Sequence, residues 1–195
     1  EIQPVKVSFR GEHKTVLSDE QPRNANIEKI PSLKPAFKKG GTVTAANSSS
    51  ISDGAAAMVI TKLSIAEQLG VIPLATIVAH VTHAQEPEWF TTAPIGAIKK
   101  VLDKTNWGKD EVDLYEINEA FSVVVLAALK ELDLDREKVN IHGGACAIGH
   151  PIGASGARIM VTLLNSLEKY SLKKGVASLC IGGGEATAVA IEKFH

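Results

Sequence analysis

The sequence predicts an α/β protein, with a mixed five-stranded sheet carrying helices on both faces. Three observations point there. From Thr42 onward, short β-prone runs alternate with helical patterns, the order expected when helices pack on a sheet. Of 195 residues, 45% are apolar, enough for a sizeable core. Glycines gather where β-prone runs end, which marks strands turning into loops.

Residues 1–40 show neither the strand nor the helix period, are punctuated by Pro4, Pro22, Pro31 and Pro35, and close at Gly40-Gly41. They read as irregular, and a stretch longer than about 15 residues without structure is usually functional or belongs to a neighbouring body. The boundary at 40/41 therefore separates two predicted units, 1–40 and 41–195. Strands are predicted over Ala55 to Thr61, Leu74 to Val81, Asp113 to Ile117, Val176 to Cys180 and Ala186 to Lys193, the last two antiparallel across a glycine turn. Helices are predicted over Ser64–Leu69, Ile95–Lys104, Glu119–Leu132 and Ser155–Lys169. In the third, Phe121, Val124, Val125, Ala128 and Leu132 recur at three-to-four spacing behind Asn118 as N-cap.

The charge is close to balanced, at −1 overall, but segregated. Residues 1–40 hold eight Lys/Arg against five Asp/Glu, and residues 41–195 hold thirteen against seventeen. The basic segment suits either a phosphate-bearing ligand or plain solvation. No stripe fits nucleic acid, no apolar run reaches the ~20 residues of a membrane span, and no signal peptide is legible, so a cytoplasmic location is expected. Cys146 and Cys180 are too few for a disulfide scaffold and read as free thiols.

Three places carry chemistry. Gly143 to Arg158 packs five glycines around His150-Pro151 before an amphipathic helix. This is either a rigid mount for a neutral histidine or a tight packing loop. Cys180-Ile181-Gly182-Gly183-Gly184 ends a strand in a thiol and loose backbone N–H groups. Ligands gather at such ends, and a thiol there whose surroundings lower its pKa can act as acid or base near neutrality, although most lone cysteines at strand ends are small core residues. Asn118-Glu119-Ala120-Phe121 follows a strand and opens a helix; Asn118 reads first as an N-cap and, from its place at a strand's end, second as a holder of water or substrate, and Glu119 suits the helix dipole.

These motifs, with Thr42 to Ser49 and Asp53 to Ala57, resemble in order and spacing those of the thiolase family. The resemblance covers essentially the whole chain and implies one half of a thiolase-like layered fold. It further implies an acyl-CoA:acetyl-CoA C-acyltransferase, which joins two acetyl-CoA into acetoacetyl-CoA or runs the thiolytic reverse. In that scheme a cysteine from an amino-terminal half, absent from these residues, forms the acyl-enzyme, and the histidine matching His150 activates it. Cys180 matches the acid–base thiol, Asn118 the holder of a water, and Gly182 the backbone donor to an oxyanion. Ser49, Phe37, Ala120 and Phe121 match positions around the pantetheine arm, Phe90 lies by the acyl pocket, and residues 1–40 match the end of a loop domain covering coenzyme A. Coenzyme A and acetyl-CoA enter as substrates, with no covalently bound cofactor. The partners implied are acyl-CoA thioesters, the amino-terminal half, and further copies of the chain in a dimer or tetramer. The short-chain branch fits best, and these residues alone are expected to be inactive.

Two departures stand out. Cys146 occupies a position usually apolar, and Glu185 follows the glycines where many relatives carry a small or apolar residue; if near, its carboxylate raises the Cys180 pKa. Three other readings compete. A non-catalytic coenzyme A binding scaffold would keep the fold without turnover. A hydrolase would use Cys180 as nucleophile and His150 as base. A metal site would draw on His80 and His83, or His142 and Cys146, but these pairs lack a carboxylate companion, so no metal is assigned.

Overall fold

In a computed structural model, residues 1–194 are described. The chain begins with a hairpin, β1 (Val5–Phe9) and β2 (Glu12–Val16), paired antiparallel. Its turn, Arg10-Gly11, has positive φ at both residues, as a two-residue hairpin turn requires. A short helix α1 (Gln21–Asn24) and a 3-10 helix over Ile27–Ser32 follow. Residues 1–40 are thus more regular than their sequence suggests. Both faces of the hairpin are largely exposed, so it has no buried face to impose the apolar–polar alternation that marks a strand.

The main sheet has four strands, in the order β3 (Ala75–Ala84), β6 (Glu185–Lys193), β5 (Lys174–Ile181) and β4 (Leu114–Ile117). β4 runs parallel to β5, and the other pairs are antiparallel. The fifth predicted strand, Ala55 to Thr61, is a correction: it is unpaired, with Val59 97% and Ile60 70% exposed. β-prone composition makes a strand only where a free edge offers partners. At β3's outer edge, Lys104 and Lys100 Nζ donate to the carbonyls of His80 and Thr82, and beyond β4, Val139 bridges to Tyr115. Charged side chains on an edge carbonyl row block further pairing.

Side chains alternate across the sheet and build two cores. One face carries Tyr115, Ile117, Val176, Cys180 and Ala186 against α3 (Ala93–Thr105) and α4 (Ser122–Leu132). The other carries Leu114, Ala177 and Ile191 against Ile159, Met160, Leu163 and Leu167 of α6 (Ser155–Lys169). Burying such aliphatic side chains contributes about 1.5–3 kcal/mol each. Two short helices complete the inventory, α2 (Leu63–Gln68) and α5 (Ala145–Ile148). Helix α4 starts at Ser122, three residues later than the spacing predicts. The intervening backbone is tied instead to a distant segment: the chain bends at Ala120 and is extended at Phe121, where Ser48 bridges to Phe121 and Ser49 N–H donates to the Ala120 carbonyl.

Candidate active site

The site lies where β4 and β5 end side by side. Asn118 N–H donates to the Ser178 carbonyl at 2.9 Å, carrying the parallel ladder one residue past β4. Cys180 stands two residues farther along β5, 7% exposed. Asn118 is not an N-cap, since α4 begins beyond it and takes no side-chain cap. Its carboxamide, 1% exposed, is therefore free for other work: Nδ2 donates to His150 Nε2 at 3.3 Å. Its Oδ1 is buried with no partner among the described residues, and an orphan acceptor of this kind costs about 1–3 kcal/mol unless something serves it.

His150 is fixed from several sides. Its N–H donates to the Ser50 carbonyl at 2.9 Å, and residue 150 bridges in parallel to Ile51. Ring Nδ1 lies 2.5 Å from Ser155 Oγ at the first turn of α6. The preceding Gly149 has φ 93°, and a Cβ there would strike the Ser52 hydroxyl, so only glycine lets the loop press against the Ser48–Ser52 strap. Burial, with Arg158 as the second cause, lowers the His150 pKa below its ordinary value and keeps the ring neutral at pH 7.

Cys180 runs the other way. Burial pushes its thiol up, and Glu185 is not among the causes, so the expectation that Glu185 raises it is corrected, as is the expectation that the surroundings lower it. Beyond Cys180 the chain turns through Gly182–Gly184 into β6, with Gly184 N–H closing on the Ile181 carbonyl at 3.1 Å. Gly184 has φ 101°, and a Cβ would collide with the Gln85 carbonyl; it is the packing glycine. Gly182 faces open space and its N–H has no backbone partner among the described residues. That leaves a free donor at the end of β5.

Ser49, Ala120, Phe121 and Phe37 come together as one patch. Ser49 Oγ donates to the Ala120 carbonyl at 2.9 Å, and the Phe37 and Phe121 rings meet edge-on with centroids 5.9 Å apart. Phe90 meets the same Phe121 ring at 6.4 Å. An open cleft lined by Ser52–Ala56 and Pro151–Ala154 runs beside the His150 loop.

Several contributors were not singled out from sequence. Glu119, read as a helix-dipole residue, instead ties the two loops: its carboxylate accepts from Cys146 N–H and from Asn140 Nδ2, each at 3.1 Å. Asn140 in turn exchanges two hydrogen bonds of 2.8 Å with the backbone of Ile117. Ser155, five residues after His150, carried only a helix-start signal. Beneath the site, burial pushes the Glu116 carboxyl up to about 8, only partly offset by Arg158, whose guanidinium lies 3.8 Å away. Cys146 is driven up to about 11 by burial and by Glu119, which removes it as a nucleophile. The histidines weighed for a metal have other company: His83 Nε2 lies 3.1 Å from Gln85 Oε1, and His142 stacks on Tyr170.

Comparison with known proteins gives one family twice. "Thiolase, N-terminal domain" matches residues 1–64, and "Thiolase, C-terminal domain" matches residues 71–193. An acetyl-CoA acetyltransferase of Yarrowia lipolytica is 50% identical over 193 residues, covering 99% of this chain and 48% of the relative. The crystal structure of the Bacillus anthracis acetyl-CoA acetyltransferase superposes with a TM-score of 0.95 at 45% identity, over 99% of this chain and 49% of that one. The Acat5 thiolase of Ascaris suum, in complex with coenzyme A, gives a TM-score of 0.82 at 40% identity, over 97% and 49%. The chain spans about half the length of the curated relatives it matches.

Proposed function

The chain belongs to the thiolase family, and from that premise we propose that it contributes the acid–base and oxyanion groups of an acyl-CoA:acetyl-CoA C-acyltransferase. The reaction is the condensation of two acetyl-CoA to acetoacetyl-CoA, or its thiolytic reverse. The observation that carries the reading is the meeting of Asn118 and His150 at 3.3 Å beside the end of β5, where Cys180 stands.

Each role follows from its surroundings. His150, held neutral, takes a proton through Nε2 from a nucleophilic thiol supplied by the amino-terminal half of the protein. Cys180, held protonated by burial, returns a proton to the α-carbon in cleavage; in condensation it removes one and delivers it onward. Asn118 Oδ1, the orphan acceptor, holds a water whose proton points at the enolate oxygen. The free N–H of Gly182 donates to the thioester oxygen when the tetrahedral intermediate forms; losing such a donor typically costs about 10²–10³ in rate. The patch of Ser49, Phe37, Ala120 and Phe121 receives the pantetheine arm of coenzyme A, and residues 1–40 close over the nucleotide as a separate unit. The names of the relatives and the coenzyme A bound to the Ascaris thiolase support that substrate class.

The test supplies the purified chain with the amino-terminal half of the Yarrowia relative and follows thiolysis of acetoacetyl-CoA. Turnover should appear only with both parts and fall at least about a thousandfold in Cys180→Ala and in His150→Ala. Coenzyme A binding without turnover would favour the scaffold reading. Acetoacetyl-CoA formed at enzymatic rates by the 195 residues alone would overturn the division of labour.

A further inference from the structure

We propose that Ser155 is a positioning residue for His150, whose hydroxyl oxygen accepts the ring Nδ1–H and so confines every change of protonation at this histidine to Nε2. The inference rests on the reading of His150 as a base, and it adds the residue that decides which nitrogen acts.

Ser155 Oγ has one proton, and the Pro151 carbonyl, 3.0 Å away, stands where it can accept it. A carbonyl can only accept, so toward His150 Nδ1, at 2.5 Å, the same oxygen presents a lone pair. Nδ1 must then carry its proton, which leaves Nε2 unprotonated where Asn118 Nδ2 donates to it at 3.3 Å. Both contacts are sheltered, Ser155 being 1% exposed and Asn118 equally so. The opposite arrangement has the Ser155 hydroxyl donating to Nδ1 and a proton on Nε2. That proton would face the Asn118 amide donor to donor, unless the carboxamide were turned over, so the two arrangements differ at three residues together.

The consequence is functional. As a base, His150 takes a proton on Nε2 and becomes an imidazolium; Nδ1–H still points at Ser155, and the new Nε2–H is a donor toward the same pocket. One fixed acceptor thus serves both states of the ring, with no reorientation between accepting a proton and stabilising an oxyanion. A carboxylate in Ser155's place would serve the same geometry while favouring the charged ring, because it adds a negative charge. A neutral hydroxyl leaves His150 neutral at rest, beside Arg158 on α6, a guanidinium that itself feels Glu116, Glu1, Glu119 and Asp19.

The experiment is heteronuclear NMR on the ¹⁵N-labelled 195-residue chain, with His150 signals assigned by their loss in His150→Gln. The neutral ring should show a protonated Nδ1 and a bare Nε2. Ser155→Ala should move the tautomer ratio at least about tenfold toward Nε2–H, Ser155→Thr should restore it, and Ser155→Asp should raise the ring's proton affinity by at least about tenfold. A wild-type ring protonated on Nε2, or a tautomer ratio unmoved in a folded Ser155→Ala chain, overturns the proposal; near-UV circular dichroism reports the fold, and Ser155→Thr carries the test should the alanine variant unfold. Because the readout needs no turnover, a shifted ring with unchanged thiolysis in the two-part assay would refute the role given to His150 and leave that of Ser155 standing.

Discussion

Replacing Gly144 by alanine tests the contact that joins the Asn118 segment to the His150 loop. The backbone there is extended, with φ −159° and ψ −157°, so the conformation itself suits an L-residue. The obstacle is the Glu119 carboxylate: an added Cβ would lie 2.7 Å from its Cδ and 2.9 Å from each oxygen. Glu119 must swing away, which breaks its bonds to Cys146 N–H and Asn140 Nδ2, both 3.1 Å. Hydrogen bonds to a charged acceptor are worth about 1.5–3 kcal/mol each, and solvent reclaims part, so a cost of about 2–4 kcal/mol is expected. Urea unfolding of Gly144→Ala, Glu119→Ala and the double variant makes a cycle that isolates the interaction. Once Glu119 is gone, the methyl has nothing to displace, and Gly144→Ala should then cost less than about 1 kcal/mol. Costs that simply add would refute the reasoning, because the damage would then lie elsewhere in the loop.

The remaining predictions concern protons and edges. Burial holds Glu116 protonated in the native state between its ordinary value and about 8; there the native chain binds more protons than the unfolded one, so stability falls as pH rises. Glu116→Gln removes that slope and should gain about 2–4 kcal/mol on the parent between pH 5 and 9, and parallel stability curves would exclude it. Both thiols should react with iodoacetamide more slowly than free cysteine at pH 8, Cys146 remaining slow until the pH nears 11; mass spectrometry reads this, and Glu185→Gln should leave the Cys180 rate unchanged. Exchanging Lys100 and Lys104 for methionine uncovers the carbonyls of Thr82 and His80 and should produce concentration-dependent association in sedimentation velocity, whereas an unchanged profile would mean that β3's edge is guarded by something else.

The elements that the sequence announces are those whose neighbours lie close along the chain or whose burial is one-sided. Helix α6 is one case, since Ile159, Met160, Leu163 and Leu167 trace a single buried stripe, and its observed span is the predicted one. The β5–β6 hairpin is another, its register set by the glycine turn between its strands. The sequence misleads where a distant segment decides local structure. Asn118 looks like an N-cap until Ser48 and Ser49, some seventy residues earlier, tie Ala120 and Phe121 down outside the helix. Glu119 is assigned to a dipole until Asn140 and Cys146 arrive from the far side of α4. Ala55 to Thr61 has the composition of a strand, yet composition does not say whether an edge is free. For the same reason the motif residues were visible as a set, whereas the residues that orient them were not.

The opposed shifts of Cys180 and His150 favour one of two chemistries that use the same pair of residues. A cysteine hydrolase needs a standing thiolate, and enzymes that keep one lower the thiol's pKa by several units next to a cationic imidazole or a helix N-terminus. Here burial acts on both groups in the direction of neutrality: the thiol is pushed up and the imidazole down. The uncharged thiol and uncharged imidazole are therefore favoured over the thiolate–imidazolium pair. A thiol held in this way is a poor attacking group at rest. It is well suited to hand a proton to a carbanion, or to accept the task of removing one when a thioester bound nearby has made its α-proton acidic. The same desolvation that weakens Cys180 as a resting nucleophile thus suits the acid–base role proposed for it, in which the nucleophile is another group, and the half-buried Cys146, its thiol also pushed up, is no better placed to attack.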